Sequence, residues 1–196
     1  SRVLAEEFRK SMDLTYNIVR IFLSFSNFQE MHSILANYRV GSMMMKILEL
    51  EARRIEHRDE ENRKRIETED KLLEDDNTVD AERLVKRRER DAAKARVLQQ
   101  KQDRLLFAVF HVLMNLAEDA NVEKKMVKKK LINYLLLLLG RNSANLLIIV
   151  TAFLKKLSIF EENVAQMVRG GAVEGLARMI PCSNDPLMHM TLRCLF

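Results

Sequence analysis

The sequence predicts an all-helical protein built from repeated units, on three observations. It has only 5 Gly and 2 Pro in 196 residues, far below the roughly 12% usual for ordinary proteins and too few turn-formers for a many-stranded β fold. Apolar residues make up 47% of the chain, enough to bury a core and too many for disorder or a low-complexity spacer. An apolar pattern also recurs in the C-terminal half at a spacing of 41 residues, the mark of a repeated supersecondary unit.

The repeat aligns without a gap. Leu105-Leu-Phe-Ala-Val-Phe-His-Val-Leu-Met-Asn-Leu-Ala117 lies on Leu146-Leu-Ile-Ile-Val-Thr-Ala-Phe-Leu-Lys-Lys-Leu-Ser158, and Val127, Ile132 and Leu135 lie on Val168, Val173 and Leu176. A further shift places Leu187 to Phe196 on Leu146 to Lys155, so another copy has begun. Nearer the N-terminus, Phe22-Leu-Ser-Phe-Ser26 followed by Met31 to Gly41 and Ser42 to Leu50 repeats the theme.

Within a unit, Glu162 to Arg169 reads as a short amphipathic helix stopped at Gly170-Gly171, where glycine supplies the left-handed conformation that ends a helix. A second helix spans Val173 to Ile180 and closes at Pro181. A third, Asn145 to Ser158, is apolar nearly all round and so is buried from more than one side. Three helices per unit, the first one short, is the armadillo plan; HEAT units have two long ones. The predicted organisation is an armadillo-repeat solenoid with repeat units over 1–48 and 105–196, interrupted by a charged insertion over 49–104. Phe196 falls inside an unfinished unit and Ser1 is not an initiator methionine, so the parent protein is expected to continue at both ends.

The insertion holds 16 Lys+Arg and 17 Asp+Glu. Glu49 to Asp76 carries 12 acids and 7 bases, and Asp80 to Arg104 carries 5 acids and 9 bases. Between them, Glu74 to Asp80 offers Asn77 or Thr78 as a helix cap. The pattern predicts two antiparallel helical arms of opposite charge, each about 40 Å long at about 1.5 Å per residue. Their apolar seam would be thin: Ile55, Ile66, Leu72 and Leu73 against Leu84, Val85, Ala92, Ala95 and Leu98. A solvated charge run is the alternative.

Function classes narrow by exclusion. The longest apolar runs, Leu135 to Leu139 and Leu146 to Val150, fall far short of the roughly 18 residues of a transmembrane helix, so no membrane insertion is expected. The first residues, Ser1-Arg-Val-Leu-Ala-Glu-Glu7, carry acids where a signal peptide needs an apolar run. Cys182 and Cys194 read as free thiols, which suits a cytoplasmic location. His32, His57, His111 and His189 are scattered, without the spacing of a zinc or nucleophile motif, so neither catalysis, metal nor cofactor is expected. Gly170 to Gly175 resembles a phosphate loop only superficially, since Leu and Ala follow in place of Lys-Ser/Thr.

Binding residues are read from the third helices, which line the groove of peptide-binding armadillo proteins. The groove positions are Arg20 with Ser24, His111 with Asn115, and Ala152 with Lys156. Only Asn115 fits the usual Trp/Asn pattern, and the chain has no Trp, which disfavours an import receptor for basic signals. Arg20, Lys155 and Lys156 suggest a mildly basic groove for an acidic segment. Lys124, Lys125, Lys128, Lys129 and Lys130 form a second basic cluster. A solvated face is the ordinary use of such a run. Nucleic acid could be held there through phosphates, but no stacking aromatics are interleaved. Met43-Met44-Met45 reads as core packing rather than an adaptable surface.

Tyr16-Asn-Ile-Val-Arg-Ile-Phe-Leu-Ser-Phe-Ser26, Leu113 to Asp119, Phe153-Leu-Lys-Lys-Leu-Ser-Ile-Phe-Glu-Glu-Asn163 and Met179-Ile-Pro-Cys182 resemble the kinesin-associated protein family, the non-motor accessory subunits of heterotrimeric kinesin-II. The resemblance covers most of residues 14–196. It implies a non-enzymatic scaffold that binds the tails of kinesin-II motor subunits and links the motor to cargo, including intraflagellar-transport particles of the cilium or flagellum. The alternative is a helical scaffold of another complex, serving nuclear transport, nucleic-acid binding or a phosphatase.

Overall fold

The computed structural model describes residues 2–73 and 78–196, with side chains described for 12–69, 83 and 85–196. All its described elements are helices. In chain order they are α1 (Arg2–Ser26), α2 (Gln29–Asn37), α3 (Val40–Leu73), α4 (Thr78–Leu116), α5 (Ala120–Lys128) and α6 (Leu131–Leu137). After a short 3-10 turn come α7 (Ala144–Leu157), α8 (Glu161–Arg169), α9 (Ala172–Ala177) and α10 (Asp185–Leu195). Of the turn expected over Glu74 to Asp80, residues 74–77, with Asn77 as one candidate cap, lie outside the described residues; Thr78, the other candidate cap, through Asp80 already belong to α4.

The periodicity holds at the level of helix starts. α5 and α8 begin at Ala120 and Glu161, α6 and α9 at Leu131 and Ala172, α7 and α10 at Ala144 and Asp185, each pair 41 residues apart. α2, α5 and α8 are all 9 residues long. Each is followed by one residue of left-handed backbone, Arg39 (φ 57), Lys130 (φ 66) and Gly171 (φ 80), which turns the chain into the next helix. A side chain in that region costs about 1–2 kcal/mol, so the two basic residues stand where glycine fits with least strain. The first helix expected over Met31 to Gly41 therefore breaks at Tyr38-Arg39, and Gly41 lies in the first turn of α3.

Local chemistry sets the other helix ends. Asp119 accepts hydrogen bonds from the backbone N–H of Asn121 (2.7 Å) and Val122 (3.4 Å), capping α5. Asn184 caps α10 through Leu187 N–H at 3.0 Å, with a proline in the first turn. The helix expected over Val173 to Ile180 ends sooner, at Ala177.

Four helices form a row: α1 packs on α4, α4 on α7, and α7 on α10. The core follows the row, with Phe110, Leu113, Leu146 and Phe153 each fully enclosed. Burying such a side chain contributes about 1.5–3 kcal/mol. One stripe changes environment along the row. Leu105, Val109, Val112 and Leu116 on α4 are 0–4% exposed, and Leu146, Val150, Phe153 and Leu157 on α7 are 0% exposed. Their counterparts on α1 are Leu14, Ile18, Ile21 and Phe25, which are 46–62% exposed. The apolar pattern of the unit is thus kept on α1, but the described residues leave it uncovered.

α3 and α4 lie antiparallel, joined by Arg58 to Gln102, Arg65 to Asp91 at 3.2 Å and Glu69 to Arg88 at 2.6 Å. Their seam differs from the apolar one expected. Ile55 is buried, but Ile66 and Val85 are 50% and 52% exposed, Ala92 and Ala95 are exposed, and Leu98 is partly covered. The side chains of Leu72, Leu73 and Leu84 lie outside the described residues. Paired charges occupy the interface instead: Glu69 is buried against Arg88, with Arg65 3.9 Å away. With so few large apolar side chains available, ion pairs of Arg65 and Arg88 with Asp91 and Glu69 cross the seam.

Candidate interaction surface

The long pair is rooted in a buried polar hub that the sequence reading did not identify. Gln102, fully enclosed, accepts from Arg58 and from Arg141 (3.0 Å) through Oε1. Its Nε2 donates to Glu51 Oε2 (2.6 Å) and to the Glu51 carbonyl (3.3 Å). Arg141, in the segment before α7, also faces Asp103 at 3.6 Å. Burial pushes the Asp103 carboxyl up, against the pull of Arg141 and Arg58. Burial pushes the Arg58 guanidinium down, with Arg141 adding to it. The hub locks α3, α4 and the approach to α7 together. The only hint of it in the sequence is a Gln-Asp pair at 102–103 beside the apolar run that starts at Leu105.

The predicted groove residues lie along the row of third helices, but in different environments. Arg20 is exposed on α1, its guanidinium carbon 5.7 Å from the Tyr16 ring centroid, a cation–π contact. Ser24 donates to the Arg20 carbonyl one turn back at 3.1 Å. His111 is partly buried, its ring centroid 5.5 Å from that of Phe107, and burial pushes its pKa down. Asn115 donates through Nδ2 to Ser26 Oγ (3.0 Å) and Asn27 Oδ1 (3.1 Å), tying α4 to the end of α1.

Lys155 and Lys156 do not act as one charged spot. Lys155 faces Cys194 of α10, where it offsets the burial that pushes the thiol up. Lys156 faces Glu123 of α5, where it offsets the burial that raises that carboxyl. Adjacent helical residues point about 100° apart, and both lysines are half-buried. Of the three basic residues expected in a groove, only Arg20 is exposed.

The second cluster is more open. Lys124, Lys125 and Lys128 on α5, and Lys129 and Lys130 at its end, are all exposed. Lys129 Nζ donates to Ser42 Oγ on α3 at 3.3 Å. Met44 and Met45 are core residues, whereas Met43 is 41% exposed. Gly170-Gly171 forms the turn between α8 and α9, with a helix before it. A Cβ on Gly170 would lie 2.3 Å from Leu136 Cδ1, so close packing accounts for that glycine. Cys182 and Cys194 are free thiols. Among the described residues no group of three His, Cys, Asp or Glu could hold a metal ion, and no helix is long and apolar enough to cross a membrane.

Comparison with known protein families matches the whole chain, residues 1–196, to the family described as Kinesin-associated protein (KAP). No solved structure matches the chain significantly. The match spans the row α1, α4, α7, α10, the long charged pair and the lysine-bearing α5 alike: the chain belongs to the kinesin-associated protein family.

Proposed function

We propose that the chain is a non-enzymatic adaptor of armadillo type, in which the row α1, α4, α7, α10 holds tail regions of heterotrimeric kinesin-II motor subunits and links the motor to cargo. The observation that carries this reading is the family match over residues 1–196, joined to helix starts that recur 41 residues apart. In this reading the root of α3 and the C-terminal part of α4 are the second and third helices of one unit, and the charged arms between them are an insertion. The mechanism is geometric. A rigid row of helices presents side chains at fixed spacing, so a tail segment pays little ordering cost on the scaffold side. The same role places the protein in the cytoplasm, on microtubules through the motor, and in the cilium or flagellum when the cargo is an intraflagellar-transport particle.

Affinity capture with the intact chain, followed by mass spectrometry of co-purifying proteins, tests the reading. Recovery of kinesin-II motor subunits together with cargo proteins is expected. Recovery of nuclear-transport, nucleic-acid or phosphatase complexes without any motor subunit would replace it.

A further inference from the structure

Five lysines crowd into residues 124–130, and the surrounding structure does not neutralise them. None has a carboxylate within ion-pair distance among the described residues. None of the three acids nearest in sequence is paired with a lysine of the cluster. Glu118 faces His32 at 3.7 Å, the Asp119 carboxylate caps α5, and Glu123 is buried beside Lys156. The start of α3, which meets this end of α5 through Ser42 and Lys129, brings Arg39 and Lys46 and no acid before Glu49.

The repeat itself does not require this charge. The matching positions of α2 and its turn are Ser33, Ile34, Asn37, Tyr38 and Arg39, and those of α8 and its turn are Ala165, Gln166, Arg169, Gly170 and Gly171. Lysines near a helix C-terminus complement its dipole, which accounts for Lys125 and Lys128 but not for Lys124 or Lys130. Lys130 is the most informative. It occupies the left-handed position that Gly171 fills in the following unit, so a basic side chain is kept where glycine would relieve strain. Local violations of backbone preference concentrate at functional sites.

From this juxtaposition we infer that the exposed face of α5, with Lys130, is a docking surface for an acidic peptide segment of a partner protein. Lysines at this density bind anions as point charges, and within residues 124–130 no aromatic side chain is interleaved among them to stack on bases. Carboxylate-rich peptide is therefore favoured over nucleic acid. The surface adjoins α7 through Glu123 and Lys156, but its test involves no motor subunit, so it stands or falls apart from the adaptor reading.

The test uses a short poly-L-glutamate peptide as probe, with the intact chain, by fluorescence anisotropy across a salt series. Saturable binding is expected, weakening at least about tenfold from about 50 to about 200 mM salt. Lys124→Glu/Lys125→Glu/Lys128→Glu should weaken it by at least about tenfold at low salt. The same three charge reversals on the long pair, Arg83→Glu/Lys86→Glu/Arg90→Glu, should leave it within about twofold. If the reversal at α5 unfolds the protein, the Gln variants of the same lysines replace it. Lys130→Gly separates the role from stability: it should raise the melting temperature while weakening binding. No binding by the unaltered chain, equal loss from the two triple variants, Lys130→Gly with unchanged affinity, or tighter binding of poly-uridine RNA than of the peptide would each overturn the inference.

Discussion

Gln102 and Glu51 meet in the interior, amide Nε2 to carboxylate Oε2 at 2.6 Å, with the two residues 0% and 2% exposed. That bond crosses from α4 to α3 at the level where the charged pair joins the apolar row, while Arg58 and Arg141 converge on the other side of the same amide. A neutral residue thus mediates between a buried carboxylate and two partly buried guanidinium groups. Gln102→Leu keeps the volume but leaves Glu51 and two guanidinium groups without their shared partner. Removing one member of such a network costs about 2–4 kcal/mol. Urea unfolding should show a lower midpoint; an unchanged midpoint would mean that water or neighbouring groups satisfy the hub.

The left-handed residues after α2, α5 and α8 predict opposite effects of opposite substitutions. Lys130→Gly should stabilise by about 0.5–1 kcal/mol, the relief of strain being partly offset by the entropy glycine gains in the unfolded chain. Gly171→Ala should destabilise by about 1 kcal/mol, since its φ of 80 remains and a methyl group is added. Thermal melts of the two variants check both signs.

Gly175 tests packing rather than backbone freedom. A Cβ there would lie 2.7 Å from Leu139 Cδ1 and 3.3 Å from Leu139 Cβ, so the neighbour cannot yield by rotating its tip alone. Gly175→Ala should cost about 1–3 kcal/mol through overpacking where α9 meets the turn after α6. A melting temperature equal to that of the unaltered chain would contradict the close approach.

His111 makes stability fall in mildly acidic solution. Burial pushes its folded-state pKa below the ordinary 6.5, so between those two values the unfolded chain binds more protons than the folded one. Its contribution is fully present above pH 6.5 and is lost as pH falls through the folded-state value. An NMR titration should place the His111 midpoint below 6.5, and His111→Phe should flatten the decline of stability over that window. A midpoint at or above the ordinary value would reverse the sign.

The repeat was readable in the sequence because burial is periodic: Leu105 and Leu146, Val109 and Val150, and Leu116 and Leu157 each face the same kind of interior. The antiparallel arms were readable from their opposite charges, but their seam was not. A search for apolar residues misses an interface where Glu69 is buried and paired with Arg88. The hub escaped for a related reason. Gln102, Glu51 and Arg141 are far apart in the chain, and nothing local to any of them shows that it faces inward. The turn after α2 escaped because Arg39 takes a conformation that glycine advertises and other residues do not; the repeat register located the turn after α5, but not the left-handed backbone of Lys130. At the groove, one-turn spacing located His111 and Asn115 on one face, but only the structure shows the Asn115 amide engaged with Ser26 and Asn27.

The adaptor reading rests on the third-helix row as a surface that holds motor tails. Calorimetric titration of the intact chain with the tail region of a kinesin-II motor subunit tests it most directly, run beside an Arg20→Glu/Lys155→Glu variant that keeps its helical circular dichroism. The account predicts saturable binding that the variant weakens at least about tenfold. Absence of heat at any tail concentration, or identical isotherms for the two proteins, would contradict it.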